Sequence, residues 1–364
     1  MVGSVSCIQI RSNCLIGYEL PIYDSRYGSQ KRANQLQQLK EAKKETYGGR
    51  LTKGAKKRMT KAIDLLVQSA KPTWGKNEVT NKRVKHTLSF ITLTVSNDNN
   101  ISGHQGFELI FKHFLQWMRR TANVSTYIWK AEVQQRGQLH YHITTPSWIH
   151  YQQIRNKWNT LQRSAGVTND YYNKYGTYDP NSTDIGEVRM TADLAGYMKK
   201  EFCKSIQNPY EQKKQKIEDR FEKKQITTTK KEEEMKELEL EMKGWGKLWD
   251  CSQNLKREKY YTIEESTDTY KLIKEEEKKG TITRNQLEQC TIFKVKNNET
   301  TKILNLNQIH QYDKLLYKIR NYRTNEEKKI IKTQPIKYEK IHNPLLDNQI
   351  LKPPSGWQPI HIVF

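Results

Sequence analysis

The stretch KAEVQQRGQLHYHITT, Lys130 to Thr145, places His140 and His142 one residue apart, in a chain with 9 histidines among 364 residues. Side chains alternate along a strand, so both imidazoles point one way while Leu139, Tyr141 and Ile143 point the other. Gly137 in QQRGQ, between runs of β-branched and aromatic residues, predicts a hairpin whose first strand is STYIWKAEV. On that strand Tyr127, Trp129, Ala131 and Val133 form an apolar face. Ile128, Lys130 and Glu132 lie on the other, so Glu132 can share a face with the two histidines. Two imidazoles and one carboxylate, with open positions remaining, suit a divalent cation. Structural zinc more often uses four closed ligands with cysteine among them, and no cysteine is near. The simpler alternative is a pair of ordinary exposed strand histidines, and Glu132 across the hairpin weighs against it.

A second set lies in DLAGYMKKEFCK. At roughly 100° per residue, Leu194, Ala195, Met198 and Phe202 form a buried stripe. Tyr197, Lys200 and Lys204 cluster on a flanking face. A free tyrosine, with a pKa of about 10, is a weak nucleophile at neutral pH. A metal-polarised phosphate and a neighbouring ammonium would both help it. On spacing alone, a half-buried packing tyrosine is the simpler reading in a chain with 20 tyrosines.

These residues need a frame. TLSFITLTVS, Thr87 to Ser96, reads as a buried strand. GFELIFKHFLQWMRRTAN reads as an amphipathic helix with Phe107, Ile110, Phe111, Phe114, Leu115 and Met118 inward. After the hairpin, HYQQIRNKWNTLQRSAG reads as a helix, VTNDYYNKYGTYDPNSTD as a polar loop, and IGEVRM as a short strand before the tyrosine helix. The order β-α-β-β-α-β-α predicts an α+β fold, a four- to five-stranded antiparallel sheet with helices, ferredoxin-like or RNA-recognition-like.

Around this core, residues 1–80 read as a basic helical region, with fifteen Lys and Arg against six Asp and Glu. SQKRANQLQQLKEAKKETYGG predicts one helix and LTKGAKKRMTKAIDLLVQSAKP a second, with Met59, Ile63, Leu66 and Val67 as its stripe. Lys56, Lys57, Arg58 and Lys61 on that helix suit phosphate contacts or a solvated basic face. Residues 81–204 are the core and 205–243 a charged helical insertion. Residues 244–260 return to the core because two tryptophans in GWGKLWDCSQNL need burial. Residues 261–364 form a basic C-terminal region, with QCTIFKVKN a strand, NQIHQYDKLLYKIRNY a helix, and the last thirty or so residues loose.

A net charge of +23 favours polyanions, nucleic acid before anionic membrane. No apolar run reaches the length of a membrane span, and no signal peptide is expected at the N-terminus. The five cysteines show no ligand spacing and read as free thiols in a reducing cytoplasm.

FITLT, then QLHYHI, then YMKK, in this order, resemble the three motifs of HUH endonucleases, the rolling-circle replication initiators of single-stranded DNA phages, plasmids and small viruses. GWGKLWDCSQNL and the basic GAKKRMTKAIDLL strengthen a resemblance to initiators of microviruses and other Bacteroidetes phages, over roughly Leu51 to Leu255. The resemblance implies Mg²⁺ or Mn²⁺ held by Glu132, His140 and His142. It implies Tyr197 as the nucleophile on single-stranded origin DNA, forming a 5′-phosphotyrosine, with Lys200 on the phosphate. Arg136 and Lys204 would join the DNA-contacting residues. The long insertion departs from the pattern. No Walker A motif follows, which implies dependence on a host helicase as well as a polymerase. The rival expectations are a non-catalytic single-strand binding protein, an HUH transposase, and a metal hydrolase using water.

Overall fold

A computed structural model describes residues 3–22, 53–76, 83–96, 101, 103–133, 138–188, 199, 208–243, 247–296 and 299–322. The chain divides into two units, Met1–Tyr322 and Arg323–Phe364. The second unit, with the expected loose tail, lies outside the described residues, as do SQKRANQLQQLKEAKKETYGG and most of the tyrosine helix.

The α+β class and the antiparallel sheet are borne out. Five strands form the sheet that carries the histidines: β5 (Leu88–Thr94), β6 (Ile128–Val133), β7 (Leu139–Thr145), β8 (Thr183–Val188) and β9 (Trp249–Cys251). Their order is β8-β5-β7-β6-β9, with every pairing antiparallel. One face packs on α2 (Lys112–Arg120) and α3 (Tyr151–Ser164). Ile91, Leu93, Trp129, Tyr141 and Ile143 from the sheet meet Phe111, Phe114, Met118, Ile154 and Trp158 in this core. Burying side chains of this size contributes about 1.5–3 kcal/mol each.

The chain enters α2 through a turn, Gly103–Gly106, and a π-helical segment, Phe107–Phe111. The wider π turn lets Phe107 and Phe111 both pack on Trp129, at ring separations of 5.5 and 5.0 Å. Gly106 is required there, because a Cβ would stand 2.5 Å from Leu139 Cδ2.

The opposite face is half covered by α1 (Lys53–Ser69). Met59, Ile63, Leu66 and Val67 of α1 are buried as the sequence predicts, and so are Ala62 and Leu65. They pack on Leu88, Ile128 and Cys251, at one end of the same face that carries the histidines. That face was expected to be open. It is open only at its polar end.

Residues 3–22, placed by sequence within a helical region, form β1 (Gly3–Ile10) and β2 (Cys14–Ile22). With β10 (Thr262–Glu264), β11 (Ile282–Gln286) and β12 (Thr291–Val295) they build a second five-stranded sheet, ordered β10-β1-β2-β12-β11. The region after residue 261 is therefore partly a folding partner of the N-terminus. Its helices α8 (Thr267–Lys278) and α9 (Leu306–Arg320) give Ile273, Tyr312 and Leu316 to that core. Ile319 of α9 reaches the core under α1. A small hairpin, β3 (Thr73–Lys76) with β4 (Arg83–His86), lies between α1 and β5.

The supposed loop after α3 contains α4 (Asn169–Tyr175), ended by Gly176 at φ +71°. A left-handed glycine there closes the last helical turn. The insertion folds as two helices, α5 (Asn208–Glu222) and α6 (Thr228–Lys243). They share a satellite core of Ile217, Ile226 and Leu238, and an Arg220–Glu234 ion pair at 2.9 Å. Cys7, Cys14, Cys251 and Cys290 are free thiols.

Candidate metal and nucleotidyl-transfer site

The register sets the site. Glu132 stands opposite His140, and Lys130 opposite His142, across β6 and β7. Thr94 and Thr92 stand opposite the same histidines from β5. Alternation therefore brings two imidazoles, a carboxylate, an ammonium and two hydroxyls to one face of three adjacent strands.

Each threonine reaches its histidine through Nδ1: Thr92 Oγ1 to His142 at 3.2 Å and Thr94 Oγ1 to His140 at 3.3 Å. Phe90 stacks on the His142 ring at 5.2 Å. A hydroxyl on Nδ1 fixes ring orientation and leaves Nε2 as the nitrogen for other work. Sequence reasoning treated FITLT as a structural strand and missed this. The available signal was parity, since Thr92 and Thr94 alternate with Ile91 and Leu93.

Glu132 Oε2 lies 3.3 Å from His142 Nε2 and 3.3 Å from Lys130 Nζ. Burial alone would raise the Glu132 pKa. The hydrogen bond from His142 and the charge of Lys130 overcome it and hold the pKa at about 2. His140 is only 6% exposed. Its burial, with His142 beside it and against the pull of Glu132, lowers its pKa to about 4. At neutral pH the site therefore offers a neutral imidazole and a carboxylate, the protonation states that ligate cations.

Acid works against the fold through both groups. Unfolded, His140 takes its proton near 6.5; folded, it does so only at about 4. Between these values the unfolded chain binds more protons, so stability falls as pH drops. Glu132 extends the loss from 4.5 towards about 2. The metal-free protein is expected to show a thermal midpoint that falls from pH 6.5 to about 4, with the upper part flattened in His140→Gln. A flat midpoint over that range in the wild type would contradict the burial of a neutral ring.

The donor set fits a divalent cation in chemistry. Two donors each about 2.1 Å from one ion stand roughly 3 Å apart at a right angle, close to the 3.3 Å between His142 Nε2 and Glu132 Oε2. The third donor is less well gathered, because the His140 and His142 ring centres are 6.3 Å apart. Among the described residues no group of three or more His, Cys, Asp or Glu side chains is close enough to hold a metal ion as it stands.

Tyr197, Lys200, Lys204 and Arg136 lie outside the described residues. Lys199, between the first two, is described and helical, and its Nζ pairs with Asp64 Oδ1 at 2.8 Å. Asp64 is a buried member of α1 that sequence reasoning passed over. Tyr141 cannot replace Tyr197 as nucleophile: it faces the opposite core, and burial pushes its phenol well above the usual range. Of the basic residues on α1, Lys57 and Arg58 are exposed and Lys56 is half-buried. Lys61 is committed elsewhere, donating to the carbonyls of Lys256 and Glu258 at 3.0 and 2.9 Å. It is a tie between α1 and the segment before β10, which corrects its expected role as a free phosphate contact.

No described helix is long and apolar enough to cross a membrane. No curated protein and no solved structure matches the chain. Residues 88–206, from β5 past the tyrosine segment, match the family model for the replication-associated protein ORF2, and that match supports a replication-initiator family.

Proposed function

We propose that this chain is an HUH-type rolling-circle replication initiator that nicks and rejoins single-stranded origin DNA through a 5′-phosphotyrosine at Tyr197. The observation that supports this reading best is the shared face of Glu132, His140 and His142 within the residues matched by the replication-associated model. A bound Mg²⁺ or Mn²⁺ would polarise the scissile phosphate there. Glu132, His140 and His142 hold the cation, and Thr92 and Thr94 keep the two rings turned for it. The Tyr197 oxygen attacks phosphorus in line, the bond to the 3′-oxygen breaks, and the phenolic proton is balanced by the proton gained on the freed 3′-hydroxyl. That hydroxyl primes synthesis. Because the phosphotyrosine keeps the energy of the broken ester, a returning 3′-hydroxyl reverses the step and rejoins the strand. Lys200 neutralises charge on the phosphate. Lys56, Lys57, Arg58, Arg136 and Lys204 contact the DNA backbone. A host helicase and polymerase act with it, in the bacterial cytoplasm if the chain is phage-encoded.

Purified protein mixed with labelled single-stranded origin DNA and Mn²⁺ is expected to give a covalent adduct on a denaturing gel. EDTA is expected to abolish the adduct while DNA binding survives. Undiminished cleavage in EDTA would remove the cation from the account. A second reading, a non-catalytic single-strand binding module, is favoured by one observation: Lys130 already occupies a Glu132 oxygen. A wild-type protein that binds the DNA but never forms an adduct would select it.

A further inference from the structure

Helix α4 buries none of its residues. A helix this short is not stable by propensity, and here no core holds it. Aromatic stacking does. The Tyr172 and Tyr178 rings lie 4.2 Å apart and 10° from parallel. The Arg163 guanidinium caps this stack, 4.5 Å from the Tyr178 ring centre. Tyr171 pairs with Tyr175 at 4.6 Å, and the Lys174 ammonium is 5.2 Å from the Tyr175 ring. Tyr172 is 42% exposed and Tyr175 57% exposed. Four tyrosines clustered on a surface, two of them well exposed and interleaved with cations, are costly to leave in water without a use.

Their position is fixed relative to the histidines. Buried Asn159 donates to Asp179 Oδ1 and to the Pro180 carbonyl, which ties down the segment after Tyr178. Ser182 then accepts a hydrogen bond from the Thr94 backbone N–H at 2.8 Å, and Thr94 stands opposite His140. The tyrosine cluster thus feeds into the sheet at its histidine end.

We propose that Tyr171, Tyr172, Tyr175 and Tyr178, with Arg163 and Lys174, form a stacking platform for bases of single-stranded DNA that flank the cleavage point. The proposal rests on the reading of the histidine face as a nicking site. Every base has a π face, so such a platform binds without sequence preference, and the cations match the phosphates between the bases.

The test is fluorescence anisotropy of the full chain with labelled oligo(dT), roughly twenty nucleotides long to exceed a single-strand site. Tyr172→Ala/Tyr175→Ala is expected to bind at least about tenfold more weakly, the loss of one or two stacked bases. Tyr172→Phe/Tyr175→Phe keeps the rings and is expected to bind like the wild type. Unchanged affinity in the alanine variant overturns the proposal in favour of a protein contact. An equal loss in the phenylalanine variant also overturns it, because stacking does not need the hydroxyls. Adduct formation on a saturating short oligonucleotide confined to the cleavage point is expected to stay at the wild-type rate in the alanine variant, and a loss there would overturn the platform. Normal cleavage by His140→Ala would instead defeat the nicking reading and leave the anisotropy result standing.

Discussion

Tyr197→Phe protein, mixed with single-stranded origin DNA and Mn²⁺, is expected to form no covalent adduct and to lose cleavage by a factor on the order of 10⁴ or more. Removing a nucleophile eliminates the step itself, and comparable knockouts leave only what binding and electrostatics supply. Phenylalanine keeps the ring, so binding of the same oligonucleotide is expected to change by less than about threefold, under 1 kcal/mol. His140→Ala is the companion variant. It removes a ring that the fold does not need for packing against the apolar core, which lies on the other face with Leu139, Tyr141 and Ile143. It is expected to lose cleavage while keeping a cooperative thermal transition. The two variants together separate the functional readings. If both lose cleavage, metal and tyrosine act in one step. If only His140→Ala loses it, water is the nucleophile and the protein is a metal hydrolase. If Tyr197→Phe nicks at the wild-type rate, the tyrosine mechanism is gone.

The histidine hairpin was legible because its information is local. Alternation over Leu139 to Ile143 gives the face, and a short turn gives the register that sets Glu132 opposite His140. Helix positions on α2 and α3 were legible for the same reason. What covers the histidine face was not. The stripe Met59, Ile63, Leu66 and Val67 says that α1 is buried, but not against which surface, and Leu88 and Ile128 are ordinary strand residues until α1 is placed on them. The second sheet was out of reach because its pairings are remote: Cys7 pairs with Glu264, and Leu15 with Phe293. Nothing in a window of ten or twenty residues encodes such partners, and the charge of the first eighty residues drew the reading towards helix. Thr92 and Thr94 were visible as letters, but their roles needed the order β8-β5-β7-β6.

Asp64→Ala is expected to destabilise the protein by about 3 kcal/mol, read as a fall in denaturation midpoint. Asp64 is a lone carboxylate among the buried residues of α1, fully excluded from water. Its oxygens are completely used. Oδ1 accepts from Ser12 Oγ at 2.9 Å and pairs with Lys199 Nζ at 2.8 Å, while Oδ2 accepts from the Tyr260 hydroxyl at 2.8 Å. These partners come from the β1–β2 turn, the segment before β10, and the motif that carries Tyr197. Removing the carboxylate leaves the hydroxyls of Ser12 and Tyr260 and the ammonium of Lys199 facing an apolar gap. Breaking a fully buried pair costs about 3–5 kcal/mol, and the lower end applies because the Lys199 side chain is 24% exposed. Asp64→Asn keeps the shape and one acceptor, so it is expected to cost less, about 1–2 kcal/mol. The ion pair itself is isolated by a cycle of Asp64→Asn, Lys199→Met and the double variant. A coupling of about 1–3 kcal/mol is expected for charges in direct contact, and a value under about 0.5 would mean that Lys199 is not held by Asp64. If the coupling is present, α1 does two things on one strand face: its apolar side covers Leu88 and Ile128, and its single buried charge ties the tyrosine segment to the same helix. In that arrangement Lys199→Met should slow adduct formation at saturating DNA without weakening DNA binding. An unchanged rate would show that the tie serves stability alone.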